Sequence, residues 1–407
     1  MKKKKWDLIA LASIPLVMTL GNSMLIPVLP IIEKQIGISA FQSSLIITVY
    51  SVVAILLIPI AGYLSDKIGR KKVIIPSLII TGIGGAVSAF AAWKMEDPYF
   101  LILVGRFLQG IGAAGAFPVV IPTVGDMFDD EKQVSEGLGL IETSNTFGKV
   151  LSPVIGALLA VIIWYIPFAS IPILSLLSIL LVMKFVKVPK NDEKKETRFS
   201  EFIKSVKKVF HDNGRWVISI FMIGCINMFV LFGFLFHLSS ILEDEYNVTG
   251  VYKGLLLGIP LLFLCIASYI SGKKIGENKV VMKWAIVLGN GGTGASLFFM
   301  KHDTNLVMLI TLLSVAGIGI GLSLPGLDAL ITEGVEKDVR GTVTSLYSSM
   351  RFLGVAAGPP VIAIFMDRFP DMLYLSLACL SVIAALVTLI AVRPSSSEKE
   401  TQVSVEQ

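Results

Sequence analysis

Residues 62–72 read GYLSDKIGRKK, with Gly62, Asp66, Gly69 and Arg70 in fixed order between two long apolar runs. Basic residues beside such a run are ordinary where a loop faces an anionic inner leaflet, and that accounts for Lys67, Lys71 and Lys72. It does not account for the ordered glycines or the lone acid. Gly62 and Gly69 permit close helix contact and a tight turn, and Asp66 can cap a helix N-terminus from the opposite half of the molecule. The loop reads as a joint between two membrane helices.

The rest of the chain supports a membrane setting. Of 407 residues, 54% are hydrophobic and only 16% charged, where a soluble protein keeps about a quarter of its residues charged. Apolar segments long enough to cross a bilayer recur at 8–30, 43–63, 73–93, 98–122, 137–160, 164–184, 216–237, 251–271, 281–300, 305–328, 342–365 and 372–392. The first follows MKKKK but is too long for a signal peptide and has no small-residue cleavage site, so it is expected to remain as a span. Most of the 35 Lys and Arg residues fall in alternate loops and both tails, which predicts cytoplasmic termini in a multi-pass plasma-membrane protein.

The polar stretch 187–215 divides the spans into residues 1–186 and 216–393, leaving 394–407 as a tail. Within it, FSEFIKSVKKVF (199–210) has apolar and basic faces and predicts an amphipathic helix on the inner surface. The two halves are copies. LQGIGAAGAFP (108–118) aligns with VAGIGIGLSLP (315–325), pairing Gly110 with Gly317, Gly112 with Gly319 and, further on, Asp126 with Glu333. AGYLSDKIGRKK aligns with ASYISGKKIGENK (267–279), where Gly272 and Glu277 replace Asp66 and Arg70. Gly148 and Pro153 pair with Gly354 and Pro359. Duplicated six-helix halves imply an axis along the membrane normal, a site between the halves and rocking as mechanism.

On these residues the chain resembles the major facilitator superfamily, an all-α fold of twelve transmembrane helices in two pseudo-symmetric halves. The resemblance implies that Asp66 and Arg70 join an acid at the inner end of the fourth helix, here Asp126, in a conformational latch. GRFLQGIG (105–112) is similar to the family's motif around an embedded arginine, implying a part for Arg106 in proton transfer. Gly139, Gly148, Ser152-Pro153 and Gly156-Ala157 resemble the antiporter motif of the exporter branches, with Ser and Ala where that motif has glycine; Gly358-Pro359 echoes it in the eleventh span. MTLGNSMLIPVLPIIEK, IETSNTFGKVLSP, PGLDALITEG and SMRFLGVAAGPP resemble the Bacillus-type bacillibactin exporters of the drug:proton antiporter branch. That implies export of a catecholate siderophore, or of drugs, driven by a proton gradient without a cofactor. A sugar or organic-acid importer of the same fold is the alternative.

Several charges lie inside spans. Glu142, Asn145, Lys149 and Ser152 share one helical face, and Thr344, Ser348 and Arg351 form a matching stripe. With Asn22, Asn227 and Asp328 they are the candidate cavity lining, and Glu142 the candidate proton carrier beside Arg106. Buried ion pairs, Glu142 with Lys149 or Asp328 with Arg351, are the structural alternative. Arg106, Lys149 and Arg351 outnumber Glu142 and Asp328 by one, which favours an anionic amphipathic substrate. The three cysteines and three histidines lie singly, so neither a metal site nor a hydrolytic enzyme is expected. No Walker-type loop or nucleic-acid motif occurs, and the expected partners are lipid, a small molecule and protons, with the chain a monomer.

Overall fold

The computed structural model describes residues 4–128, 131–186, 199–275, 278–300, 305–333 and 337–392. The stretch 187–198, Glu277 and the tail 394–407 lie outside the described residues, as do the side chains of 199–213 and Glu333. The helices are α1 (Lys5–Ser23, resuming over Leu29–Ile36), α2 (Ala40–Ile68), α3 (Arg70–Lys94), α4 (Tyr99–Met127), α5 (Glu131–Ile162) and α6 (Ile166–Phe185). They continue as α7 (Phe199–Asp244), α8 (Gly250–Ile275), α9 (Lys279–Phe298), α10 (Leu306–Glu333), α11 (Lys337–Arg368) and α12 (Leu373–Ala391). The segment expected as a separate surface helix is the start of α7, continuous with the seventh span.

Local chemistry sets several boundaries. Pro27 and Pro30 remove backbone donors, and α1 breaks there into a 3-10 turn over Ile26–Val28. Ser39 and Gln42 form a reciprocal capping box at the start of α2. Gly69 separates α2 from α3 at φ +105°, a conformation open to glycine and strained for other residues.

Among the described residues, eleven helices are long and apolar enough to cross a membrane. The sequence reading expected twelve such spans, and α9 falls short because its centre reads GNGGTG. It is nonetheless a 20-residue helix packed among α8, α10 and α12.

Packing repeats between the halves. In the first, α4 lies against α2 and α3, α3 against α6, and α1 against α5; in the second, α10 lies against α8 and α9, α9 against α12, and α7 against α11. The paired glycines make paired contacts. A Cβ on Gly110 would stand 2.5 Å from the Tyr50 carbonyl oxygen of α2, and one on Gly317 would stand 2.5 Å from the Pro260 carbonyl oxygen of α8. Close backbone approach of this kind is how apolar helices associate without a hydrophobic driving force between them.

The halves meet chiefly along α2–α11 and α5–α8. At the end carrying Lys34, one hydrophobic core is continuous across both halves, joining Leu25, Ile26 and Leu29 to Leu231, Leu235, Leu257 and Leu261. Toward the end carrying Gly69, the described buried residues form separate cores. One centres on Leu8, Leu11, Ile74 and Val120, another on Val217, Ile286, Leu327 and Val343, and a small third on Ala54, Ile58 and Ala114. The molecule is therefore closed at its Lys34 end.

Candidate functional site

A cavity of about 90 Å³ lies between the halves. Its wall includes Thr19, Asn22, Asn145 and Lys149 from the first half, and Met228, Phe232, Ser348 and Arg351 from the second. Of the α5 face predicted to be polar, Asn145 and Lys149 stand in the cavity wall, whereas Glu142 and Ser152, like Asp328, are not among its lining residues. The period that aligns its charges also brings Gly148 against α1, where a Cβ would stand 3.3 Å from Thr19 and Leu16.

The charges are not equivalent. Arg351 Nη1 lies 3.3 Å from Asp328 Oδ1, and its guanidinium stands 5.7 Å from the Tyr347 ring centre. Asn145 donates to Glu142 Oε1 at 3.2 Å and accepts from Thr19 Oγ1 at 2.6 Å, tying the α5 face to α1. Lys149 is 8% exposed and makes no ion pair or hydrogen bond among the described residues. Glu142, two turns away, does not reach it; Arg351, Glu142 and Asp328 act on it only through space. Leaving a buried ion without its partner ordinarily costs roughly 3–5 kcal/mol. The cavity wall thus holds an ammonium whose burial cost an anion would offset.

Arg106 is fully buried and belongs to a different environment. It donates to the Ile46 carbonyl of α2 at 2.7 Å, to the Gly21 carbonyl of α1 at 3.1 Å, and to Asn22 Oδ1 and Gln109 Oε1. The Tyr50 ring centre is 4.6 Å from its guanidinium carbon. Its charge is met by neutral acceptors, and it joins three helices just before α1 breaks. Asn22 reaches both this cluster and the cavity wall. Asn227 sits elsewhere. It is 2% exposed and donates to Ser323 Oγ at 3.0 Å, inside the second half, where Asn290 shares the same hydroxyl.

At the Gly69 end, Arg70 pairs with Asp66 and with Asp126 Oδ2, the latter at 2.9 Å, and donates to Ser65 Oγ at 2.7 Å. The three charged residues that the resemblance grouped are together, all within the first half. Gly62 faces α11, its Cβ position 3.8 Å from Ser345 Oγ. Pro153 and Gly358 lie on the two seams or beside them: a Cβ on Gly254 of α8 would stand 2.5 Å from the Pro153 carbonyl, and one on Gly358 would stand 2.8 Å from the Phe229 carbonyl of α7. Pro359 follows Gly358 within α11.

One charged cluster escaped the sequence reading. Glu243 of α7 receives Lys34 of α1 and Lys253 of α8, each at 2.8 Å, and Lys34 also lies 3.1 Å from Asp244. Lys253 and Glu243 are buried whereas Lys34 is 57% exposed. All four residues sit near span ends, where charge is unremarkable in a sequence, so only the fold reveals their convergence.

The Major Facilitator Superfamily model matches residues 11–359 and 280–407. The chain is 55% identical over 396 residues to the bacillibactin exporter of Bacillus subtilis (strain 168), covering 97% of this chain and 98% of that protein. It is 25% identical over 362 residues to the class E tetracycline resistance protein of Escherichia coli, covering 84% of each. Among solved structures, the human organic anion transporter MFSD10 (TETRAN) superposes with a TM-score of 0.75 at 16% identity, covering 95% of this chain and 99% of that one. With its repeated six-helix packing and this full-length similarity, the chain belongs to the major facilitator superfamily.

Proposed function

We propose that the chain is a proton-coupled secondary transporter that exports an amphipathic anion, a catecholate siderophore such as bacillibactin ahead of drugs, by alternating access. The observation that carries the chemistry is Lys149, a buried ammonium without an ion-pair partner among the described residues, on the wall of the inter-half cavity. Similarity to the bacillibactin exporter supports the direction and substrate class. Residues 1–186 and 216–393 would act as the two rocking halves, with 187–215 as a cytoplasmic linker and 394–407 as a cytoplasmic tail. The Gly69 end, bearing the basic loop, would face the cytoplasm, and the closed Lys34 end the exterior of the plasma membrane.

In this reading Glu142 carries the proton, with Asn145 and Thr19 linking its carboxylate to α1. Arg106 positions α1 and α2 around it, and no cofactor takes part. Asn22, Ser348 and Arg351 line the path beside Lys149, and the Asp66–Arg70–Asp126 cluster with Gly62, Gly69, Gly148, Pro153, Gly358 and Pro359 supports the change of state. The chain would act as a monomer. The deciding experiment deletes the gene and profiles secreted metabolites with and without iron starvation, then measures uptake of the candidate into inverted vesicles under an imposed pH gradient. Loss of catecholate secretion and proton-driven uptake are expected. Unchanged secretion removes the siderophore, and uptake only into right-side-out vesicles reverses the direction.

A further inference from the structure

Beyond Lys149, toward the closed Lys34 end, the space narrows to a second, almost wholly apolar recess of about 10 Å³. Ser23 and Ile26 of α1, Pro153 of α5, Leu231 and Leu235 of α7, and Leu257 and Leu261 of α8 enclose it, with Phe232 and Lys149 at its mouth. Lys149, Ser23 and Phe232 belong to both spaces, so the ammonium stands where the polar cavity meets the apolar recess. Two elements of the recess come from each half. Ile26, Leu231, Leu235, Leu257 and Leu261 are also members of the continuous core that closes this end. The recess is thus a gap in the seam itself.

A space of about 10 Å³ barely admits one water and no organic group. An aromatic or branched aliphatic group can enter only if α1 and α5 part from α7 and α8. A ligand shifts a conformational equilibrium by its differential affinity for the two states, and an occupant here binds only the parted one. Resting on the export reading above, we infer that the recess is an apolar subsite whose occupation opens the Lys34 end. Its ligand carries an anionic oxygen on Lys149 and, next to it, an aromatic or branched apolar group directed into the seam. Anion and wedge then have separate roles: Lys149 supplies affinity, and the apolar group supplies the opening.

The test needs no transport. Spin labels on Glu96→Cys and Thr249→Cys, exposed on opposite halves near the closed end, report its separation in a background with Cys225, Cys265 and Cys379 replaced by Ser. Three probes are compared: 2-naphthoate, its neutral carboxamide, and acetate. Naphthoate is expected to lengthen the distance, acetate to leave it unchanged, and the carboxamide to act about tenfold more weakly, the effect of losing one charge-assisted contact. Lys149→Gln should weaken naphthoate to the level of the carboxamide. Leu261→Trp should lengthen the distance with no ligand, and Leu261→Ala, which enlarges the recess, should blunt the response to naphthoate. Opening by acetate equal to that by naphthoate overturns the inference, as does a naphthoate response unaltered in Leu261→Ala. Opening by naphthoate in a protein that exports no catecholate keeps the subsite and removes the siderophore.

Discussion

Glu243 holds two lysines at the same distance, and replacing each should have opposite kinds of effect. Lys253 and Glu243 are both buried, so Lys253→Met leaves a carboxylate with one oxygen unpaired inside the protein. Breaking a buried pair from one side costs roughly 3–5 kcal/mol, a large part of the roughly 5–15 kcal/mol that holds a folded domain together. Lys34 is more than half exposed and makes two contacts of the kind worth about 0.2–1 kcal/mol each. Its removal should cost the fold little. Because Lys34 belongs to the first half and Glu243 and Asp244 to the second, that small energy is spent only when the Lys34 end opens. A loss of about 1 kcal/mol changes the closed-to-open ratio about fivefold. The assay is thermal unfolding in detergent, together with alkylation of Ser239→Cys by an impermeant maleimide. Ser239 is buried against the Ile26 carbonyl of α1 and becomes reachable as that end parts. Lys253→Met should lower Tm by about 5 °C or more. Lys34→Gln should leave Tm nearly unchanged, raise alkylation about fivefold at low salt, and lose this effect at high salt as screening removes it from the parent. Equal loss of Tm in both variants would refute the assignment of Lys34 to the gate.

Three further outcomes follow from the same structure. Glu142→Gln should abolish efflux driven by a pH gradient while leaving binding of an anionic probe intact; retained proton-driven efflux would remove Glu142 as the carrier. Arg106→Lys supplies one ammonium where a planar guanidinium now reaches α1 and α2 at once, so transport should fall about tenfold or more, with lowered Tm as the check on α1–α2 contact. Gly110→Val and Gly317→Val meet backbone oxygens at the same 2.5 Å distance on opposite halves. Each should destabilise by roughly 1–3 kcal/mol and by a similar amount, measured as matching Tm shifts.

The repeat was readable because it is written in glycines, and glycine marks backbone contact wherever helices cross. Pairing Gly110 with Gly317 on sequence alone predicted equivalent crossings, and α2–α4 and α8–α10 make them. The stripe on α5 was readable from helical period. Period gives a direction, however, without giving a partner. Asn227 shares the same polarity as Asn22 yet turns toward Ser323, because what decides its role is a hydroxyl 96 residues away. The lack of a Glu142–Lys149 contact, by contrast, follows from seven residues of helix rise along α5. The Lys34–Glu243–Lys253 cluster was invisible for a different reason: charges at helix ends are the rule in membrane proteins, and proximity there is a product of tertiary folding.

The glycine-rich middle of α9 has a consequence for how the chain enters the membrane. A helix reading GNGGTG at its centre gains little by partitioning into lipid alone, since insertion is driven by the apolar content of the segment itself. Gly289 of α9 lies against the Gly319 carbonyl of α10, and the Asn290 amide donates to Ser323 Oγ of α10. α9 therefore has a reason to wait at the translocon until α10 emerges and to leave with it as a hairpin. Insertion of the second half would then include a paired step that the first half does not need, since its equivalent α3 is apolar enough to cross a membrane by itself.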